Sequence, residues 1–290
     1  MMRVRIVEMA ARDGLQNEKR TIATADKIHL VDLLSACGFE KIEATSFVSA
    51  KWVPQLADAA EVMAGIARRP GVTYSALTPN LRGYEAARAA RADEVAVFAS
   101  ASEGFSRANI NCSIAESLER FGPVVEAAKA DGIAVRGYVS CVVHCPYDGP
   151  TPPGAVGAVT TALLAMGCHE VSLGDTTGHG RPEEVAVMLD TVLEVAQPAQ
   201  LAGHFHDTGG HALANIRVAL DKGLRTFDAA VAGLGGCPYA PGARGNVDTL
   251  GVAALLAELG HETGLVPQAL AQAAAFARAL VSAQPGESIR

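Results

Sequence analysis

The sequence predicts an α/β chain folded as a (β/α)₈ barrel with additional C-terminal helices. Three observations carry this. Short β-branched runs alternate with longer Ala/Leu/Glu/Arg-rich runs along the 290 residues. Eight strand candidates can be counted, with starts about 22 to 40 residues apart, the spacing of βα units in a parallel sheet. The first strand also runs into Ala10-Ala11-Arg12-Asp13-Gly14 rather than the GxGxxG turn expected early in an open doubly wound sheet.

The predicted strands are 4–9, 41–45, 72–77, 94–99, 134–139, 170–173, 201–206 and 226–230. Helical runs lie between them, among them 25–36, 159–166, 182–195 and 212–222. Several close on a glycine that leads to the next strand, Gly38, Gly167 and Gly223, as helix C-caps require. No Ser/Gly linker, charge block or low-complexity segment divides the chain. We therefore expect one domain over 1–290, with the barrel in about 1–250 and a helical extension over about 251–290, packed on the barrel or on a second subunit.

Composition narrows the function. Hydrophobic residues make up 49% and charged residues 19%, enough for a large core and wrong for a disordered chain. The net charge of -7 argues against nucleic acid as a partner, since phosphates call for a basic field. No apolar run reaches the roughly 20 residues of a membrane span. The nearest, 264–283, is interrupted by Gln268, Gln272 and Arg278, and the N-terminus lacks the apolar stretch of a signal peptide. Six scattered cysteines suggest no disulfide framework, so a cytoplasmic location is expected. Cys141-x-x-x-Cys145 lacks the spacing of a zinc site.

A barrel places its active site at the C-terminal ends of the strands. Polar groups, most of them ionisable, gather there: Arg12 and Asp13 after strand one, Glu43 in strand two, Asp175 after strand six, His204 and His206 in strand seven, and the amide of Asn246 after strand eight. Strand side chains alternate, so His204 and His206 face one side while Phe205 faces the other. Taken alone, such a pair is more often two hydrogen-bonded core histidines. Ring closure, however, makes strands seven, eight and one neighbours and brings Asp13 and Asn246 within reach of the imidazoles. Two nitrogens with a carboxylate and an amide oxygen suit an octahedral Mg²⁺ or Mn²⁺.

Arg12, beside that group, presents a guanidinium fork to a carbonyl or carboxylate oxygen. Glu43 and Asp175 either orient the ligands and Arg12 or handle protons, and for Asp175 proton handling is the favoured reading. Cys237 stands in a segment with four glycines between 233 and 242, which lets backbone approach a ligand, and there a functional thiol is favoured over a structural one. Tyr138 and Tyr239 are candidate pocket walls.

These residues carry a family resemblance. The opening run from Val7 to Glu18, Glu43-Ala44-Thr45-Ser46-Phe47-Val48-Ser49, Arg136-Gly137-Tyr138-Val139-Ser140-Cys141, Ser172-Leu173-Gly174-Asp175-Thr176 and His204-Phe205-His206-Asp207-Thr208 resemble the motifs of the 3-hydroxy-3-methylglutaryl-CoA lyases. Gly233-Leu234-Gly235-Gly236-Cys237-Pro238-Tyr239-Ala240, followed by Gly245-Asn246, resembles that family's signature loop. The likeness runs nearly end to end.

It implies a TIM barrel, a divalent metal on Asp13, His204, His206 and Asn246, and cleavage of (S)-3-hydroxy-3-methylglutaryl-CoA to acetyl-CoA and acetoacetate. Arg12 would hold the thioester carbonyl and Cys237 would serve in proton transfer. Lys19 and Asn109 are candidate CoA contacts. Related Claisen-type synthases such as isopropylmalate synthase share the Arg-Asp-Gly opening and the His-x-His strand but lack the cysteine loop, so Cys237 favours the lyase.

Departures from the family pattern lie at or near the rim. They include Ala10-Ala11 before the Arg-Asp pair, His144 before Cys145, Gly178-His179-Gly180, and Gly209-Gly210-His211. They leave a related tertiary hydroxyacyl-CoA, citramalyl-CoA or a prenylated glutaryl-CoA, as the alternative substrate. A homodimer is expected, dimers being the commonest soluble assembly.

Overall fold

The computed structural model describes residues 2–235 and 245–282. Eight parallel strands close into a barrel: β1 Arg5–Glu8, β2 Lys41–Ser46, β3 Thr73–Leu77, β4 Glu94–Ser100, β5 Ala134–Ser140, β6 Glu170–Asp175, β7 Leu201–Phe205 and β8 Thr226–Ala229. Around the ring the order is β1-β8-β7-β6-β5-β4-β3-β2, closing back on β1. Arg5 lies opposite Thr226 and Val7 beside Lys41, so β1 is paired on both edges. The barrel predicted from strand count is the barrel formed.

Helices wrap the ring: α1 Thr24–Ser35, α2 Ala59–Gly65, α3 Leu81–Ala89, α4 Glu103–Ile110, α5 Ile114–Asp131, α6 Pro153–Met166, α7 Pro182–Leu193, α8 Ala212–Asp221, α9 Thr249–Glu258 and α10 Pro267–Ser282. Gly38, Gly167 and Gly223 all take positive φ after their helices, as the C-cap reading requires. A two-strand hairpin, His144–Cys145 with Gly149–Pro150, decorates the loop after β5. Cys145 shapes it, its Sγ accepting the N–H groups of Tyr147 and Asp148 at 3.3 Å each.

Strand parity sorts the core. Val95 and Val97, Val171 and Leu173, Leu201 and Phe205, and Phe227 are fully or almost fully buried. They share the outward parity that meets the helices. The opposite parity is polar for much of the barrel's height: Arg5, Lys41, Glu43, Glu94, Arg136, Glu170, Ser172, His204 and Asp228. The pairings among these residues show that they meet inside the ring.

The last of the described helices, α10, packs on the barrel's own outer layer. Leu270, Ala273, Ala274, Ala277 and Leu280 of α10 are buried. Phe276 meets His29 of α1 edge-on at 4.7 Å between ring centroids, and Val266 N–H donates to Cys37 O at 2.8 Å. Among the described residues, no helix is long and apolar enough to cross a membrane.

Candidate active site

β1 runs almost directly into one turn of π-helix, Ala10–Gly14, a geometry frequent at functional sites. The turn sets Arg12 and Asp13 at the rim. A Cβ at Gly14 would lie 2.9 Å from Cβ of Leu234, so the absence of a side chain lets this turn rest against the segment after β8.

β7 ends at Phe205, one residue short of the predicted strand, because His206 pairs through a single antiparallel bridge with Asn246. The chain remains extended, and the two imidazoles still share a face, their Nε2 atoms 3.2 Å apart. Asp13 Oδ2 lies 3.7 Å from His206 Nε2 and 4.0 Å from His204 Nε2. Among the described residues these three form a group whose ligand atoms all fall within 4.8 Å of one another. Asn246 joins it through Nδ2, which donates to Asp13 Oδ2 at 2.7 Å and to Leu234 O at 3.0 Å. Gly235, at φ +106°, lies where a Cβ would stand 2.5 Å from that Nδ2.

A continuous polar floor supports the group. Asp228 Oδ2 lies 3.2 Å from His204 Nδ1 and accepts from Ser172 Oγ at 2.7 Å. With the Nδ1 proton directed at Asp228, Nε2 keeps its lone pair. Arg136, 1% exposed, donates to Asp228 through Nη1 at 3.0 Å and Nη2 at 2.7 Å, to Glu170 at 2.8 Å and to Tyr138 Oη at 2.8 Å. Tyr138 in turn donates to Glu43 Oε1 at 3.2 Å, and Arg12 Nε donates to Glu43 Oε2 at 2.5 Å. Arg12 Nη1 donates to Asp13 Oδ1, also at 2.5 Å.

These contacts fix the charges. Burial works to raise the Asp13 carboxyl, but the Arg12 guanidinium and both imidazoles outweigh it and hold the group well below the usual carboxylate range. Burial likewise opposes ionisation of Asp228, and Arg136 and His204 overcome it. Glu43 goes the other way: its burial prevails over Arg12, and its carboxyl is raised. An anionic oxygen and two imidazole nitrogens form a donor set that fits a hard divalent cation.

The group opens on a cavity of about 740 Å³ whose walls include Arg12, Asp13, Tyr138, Thr176, His204 and His206. The wall residues Val48, Leu77, Phe98 and Val139 make part of it apolar, and Asn109, on α4, also lines it. Lys19 is exposed and does not line it. Glu43 is fully buried beneath Arg12, with both oxygens engaged. Asp175 shares the outward parity of Val171 and Leu173 and does not line the cavity. Its Oδ2 accepts Gly180 N–H at 2.9 Å and its Oδ1 accepts Gly178 N–H at 3.2 Å, so it ties down the loop after β6. Cys237 and Tyr239 lie outside the described residues.

Asp228 and Arg136 belong to this site as well, beyond the residues the sequence marks at the rim. The signal was available: each is a charged residue inside a strand, at the parity opposite to its apolar neighbours.

The chain belongs to the HMGL-like family, whose model matches residues 3–277. It is 57% identical over 271 residues to the 3-hydroxy-3-isohexenylglutaryl-CoA/hydroxy-methylglutaryl-CoA lyase of Pseudomonas aeruginosa, covering 93% of this chain and 90% of that one. It superposes on the crystal structure of the HMG-CoA lyase from Brucella melitensis with a TM-score of 0.97 and 66% identity, over 98% of this chain and 100% of the other. An HMG-CoA lyase from Acinetobacter baumannii, solved with coenzyme A and 3-methylmalate, matches at a TM-score of 0.92 and 38% identity, over 98% and 93% of the two chains.

Proposed function

We propose that this protein is a metal-dependent carbon–carbon lyase that cleaves (S)-3-hydroxy-3-methylglutaryl-CoA to acetyl-CoA and acetoacetate. The observation that carries the reading is the convergence of Asp13, His204 and His206 beside Arg12 at the mouth of the barrel. Relatives named as lyases for this thioester class support it. Asp13, His204, His206 and the Oδ1 of Asn246 would hold Mg²⁺ or Mn²⁺. Bound there, the ion acidifies a tertiary alcohol and orients it.

The chain's own groups then have distinct tasks. Asp13, through a carboxylate oxygen, accepts the hydroxyl proton, since His204 has Nδ1 committed to Asp228 and Nε2 to the ion. The bond between C2 and C3 breaks, its electrons passing into the thioester as an enolate while C3 becomes the ketone of acetoacetate. Arg12, held in place by Glu43 and Asp13, offsets the charge on the thioester oxygen. Cys237, on the segment joining Gly235 to Gly245, returns a proton to the enolate carbon and yields acetyl-CoA. Asn109, on the cavity wall, is a proposed CoA contact, with Lys19 a weaker one. We also propose that the chain works as one lyase domain, as a homodimer, in a reducing cytoplasm. Five described cysteines are unpaired, which suits that compartment.

Incubation with HMG-CoA and Mg²⁺ should release acetoacetate. No product from folded, metal-loaded protein overturns the assignment. A second reading has its own support: the P. aeruginosa relative is also named for an isohexenyl substrate, and Val48, Leu77, Phe98 and Val139 give this cavity an apolar wall. A panel adding a prenylated glutaryl-CoA and citramalyl-CoA, the latter releasing pyruvate, separates the substrates by kcat/KM.

A further inference from the structure

Glu8 ends β1 with the outward parity of Ile6, so it faces the helix layer rather than the cavity, and it is fully buried. Its Oε1 accepts the N–H of Ala10 at 2.9 Å and of Val231 at 3.0 Å, and its Oε2 accepts the Thr249 hydroxyl at 2.8 Å. None of the three donors is a cation. Burial pushes the carboxyl up to about 7, against the pull of these hydrogen bonds. A buried carboxylate with no counter-charge against it among the described residues is a costly choice where an apolar side chain would pack.

The three donors come from three separate places. Ala10 opens the π-turn that carries Arg12 and Asp13. Val231 begins the turn after β8, and Thr249 begins α9. Between Val231 and Thr249 in the sequence stand Gly235, Cys237 and Asn246. Ala230 holds the returning end as well, its N–H donating to Val247 O at 3.1 Å and its carbonyl accepting Thr249 N–H at 3.2 Å.

We infer that Glu8 is a positioning residue: its two oxygens clamp the Asp13 turn to both ends of the 231–249 segment and so set the spacing of Asp13 and Asn246. The clamp works from outside the cavity, on the backbone that carries the ligands. Its consequence for metal binding rests on the reading that those residues hold the ion. Its consequence for the backbone does not.

The test uses the full chain, with Mn²⁺ as the probe and free Mn²⁺ read by electron paramagnetic resonance. Amide hydrogen exchange is measured on the metal-free protein. Glu8→Ala should weaken Mn²⁺ binding by roughly 10- to 100-fold, the usual effect of losing a group that orients metal ligands. It should also speed exchange at Arg12, Gly14 and Val247 while leaving the β4 amides unchanged. Glu8→Gln can still accept both backbone N–H groups and donate to Thr249, so it should restore binding to within about threefold of wild type.

Wild-type affinity and wild-type exchange in Glu8→Ala overturn the inference. If Glu8→Ala does not fold, Thr249→Val removes the Oε2 contact alone and should weaken Mn²⁺ binding by a few-fold. No change in affinity and none at Val247 then overturns it. A wild-type protein that binds no Mn²⁺ sinks the metal reading instead, and the exchange rates of the metal-free variants still decide the clamp.

Discussion

Both ends of the barrel bury charge, but they spend it differently. At the N-terminal end, Lys41 donates to both oxygens of Glu94 at 2.7 and 2.6 Å, and His169 meets the same carboxylate at 2.8 Å. Beside them Glu170 takes Arg5 at 2.5 Å and Arg136 at 2.8 Å. Each anion there has its cation. At the C-terminal end, two imidazole nitrogens and a carboxylate oxygen converge, and the fixed cation, Arg12, sits to one side on Asp13 and Glu43. The first arrangement is complete as it stands and holds the barrel shut. The second gathers electron pairs toward one point and suits a ligand with positive charge. Arg136 joins the two, with Glu170 on one side and Asp228 on the other.

If that contrast is right, substitutions at the two ends should fail in different ways. The largest effect is expected from His206→Ala. It should lose divalent-ion binding and about three orders of magnitude in kcat, ~4 kcal/mol of barrel-mouth stabilisation of the transition state. Isothermal titration with Mn²⁺ and steady-state kinetics check both, and retained ion affinity would break the contrast at its upper end. Arg12→Gln should cost roughly 10²- to 10³-fold in kcat, the usual loss when a donor to a developing oxyanion is removed. Its Mn²⁺ affinity should change far less.

At the lower end Lys41→Met should leave kcat/KM within about twofold. It should lower stability by roughly 3–5 kcal/mol, because Glu94 stays buried without its main counter-charge. Urea unfolding followed beside kinetics separates the two outcomes, and a catalytic loss without a stability loss would contradict the division of labour.

The last effect is a pH dependence, and its change in His169→Gln is the smallest of these. Burial favours the neutral form of Glu94, yet His169 and Lys41 prevail and lower its pKa from 4.5 to about 2. A depressed carboxyl contributes stability that is present above its unfolded value and lost as pH falls through its folded one. Stability from this group should therefore decline between pH 4.5 and about 2, reaching a loss of roughly 3 kcal/mol. His169→Gln should make the decline shallower in acid unfolding curves.

Much of this was legible in the sequence, and parity carried most of it. Alternation alone places His204 and His206 on one face, and they do meet. The same rule, applied to β6, would have turned Asp175 outward with Val171 and Leu173, away from the cavity. Asp175, for which the sequence favours proton handling, ties down the loop after β6 through Gly178 and Gly180 and does not line the cavity. Glu43 was read with both roles open, and its burial beneath Arg12 points to the orienting one. The charges inside strands, Arg136 and Asp228, marked a polar interior that their spacing alone did not connect.

What the sequence determined by itself was local: the strand and helix periods, the glycines that end helices, and the side of each strand on which a residue falls. These follow from backbone geometry within a few residues. Only the tertiary structure decided which of those faces meet. Asn246 and Asp13 are 233 positions apart and touch at 2.7 Å because a closed ring makes β8 the neighbour of β1. The bridge that extends β7 to His206 and the three-way hold of Glu8 are likewise contacts between segments distant in the chain. No period along the sequence encodes them, since they are set by where the folded backbone brings donors and acceptors together.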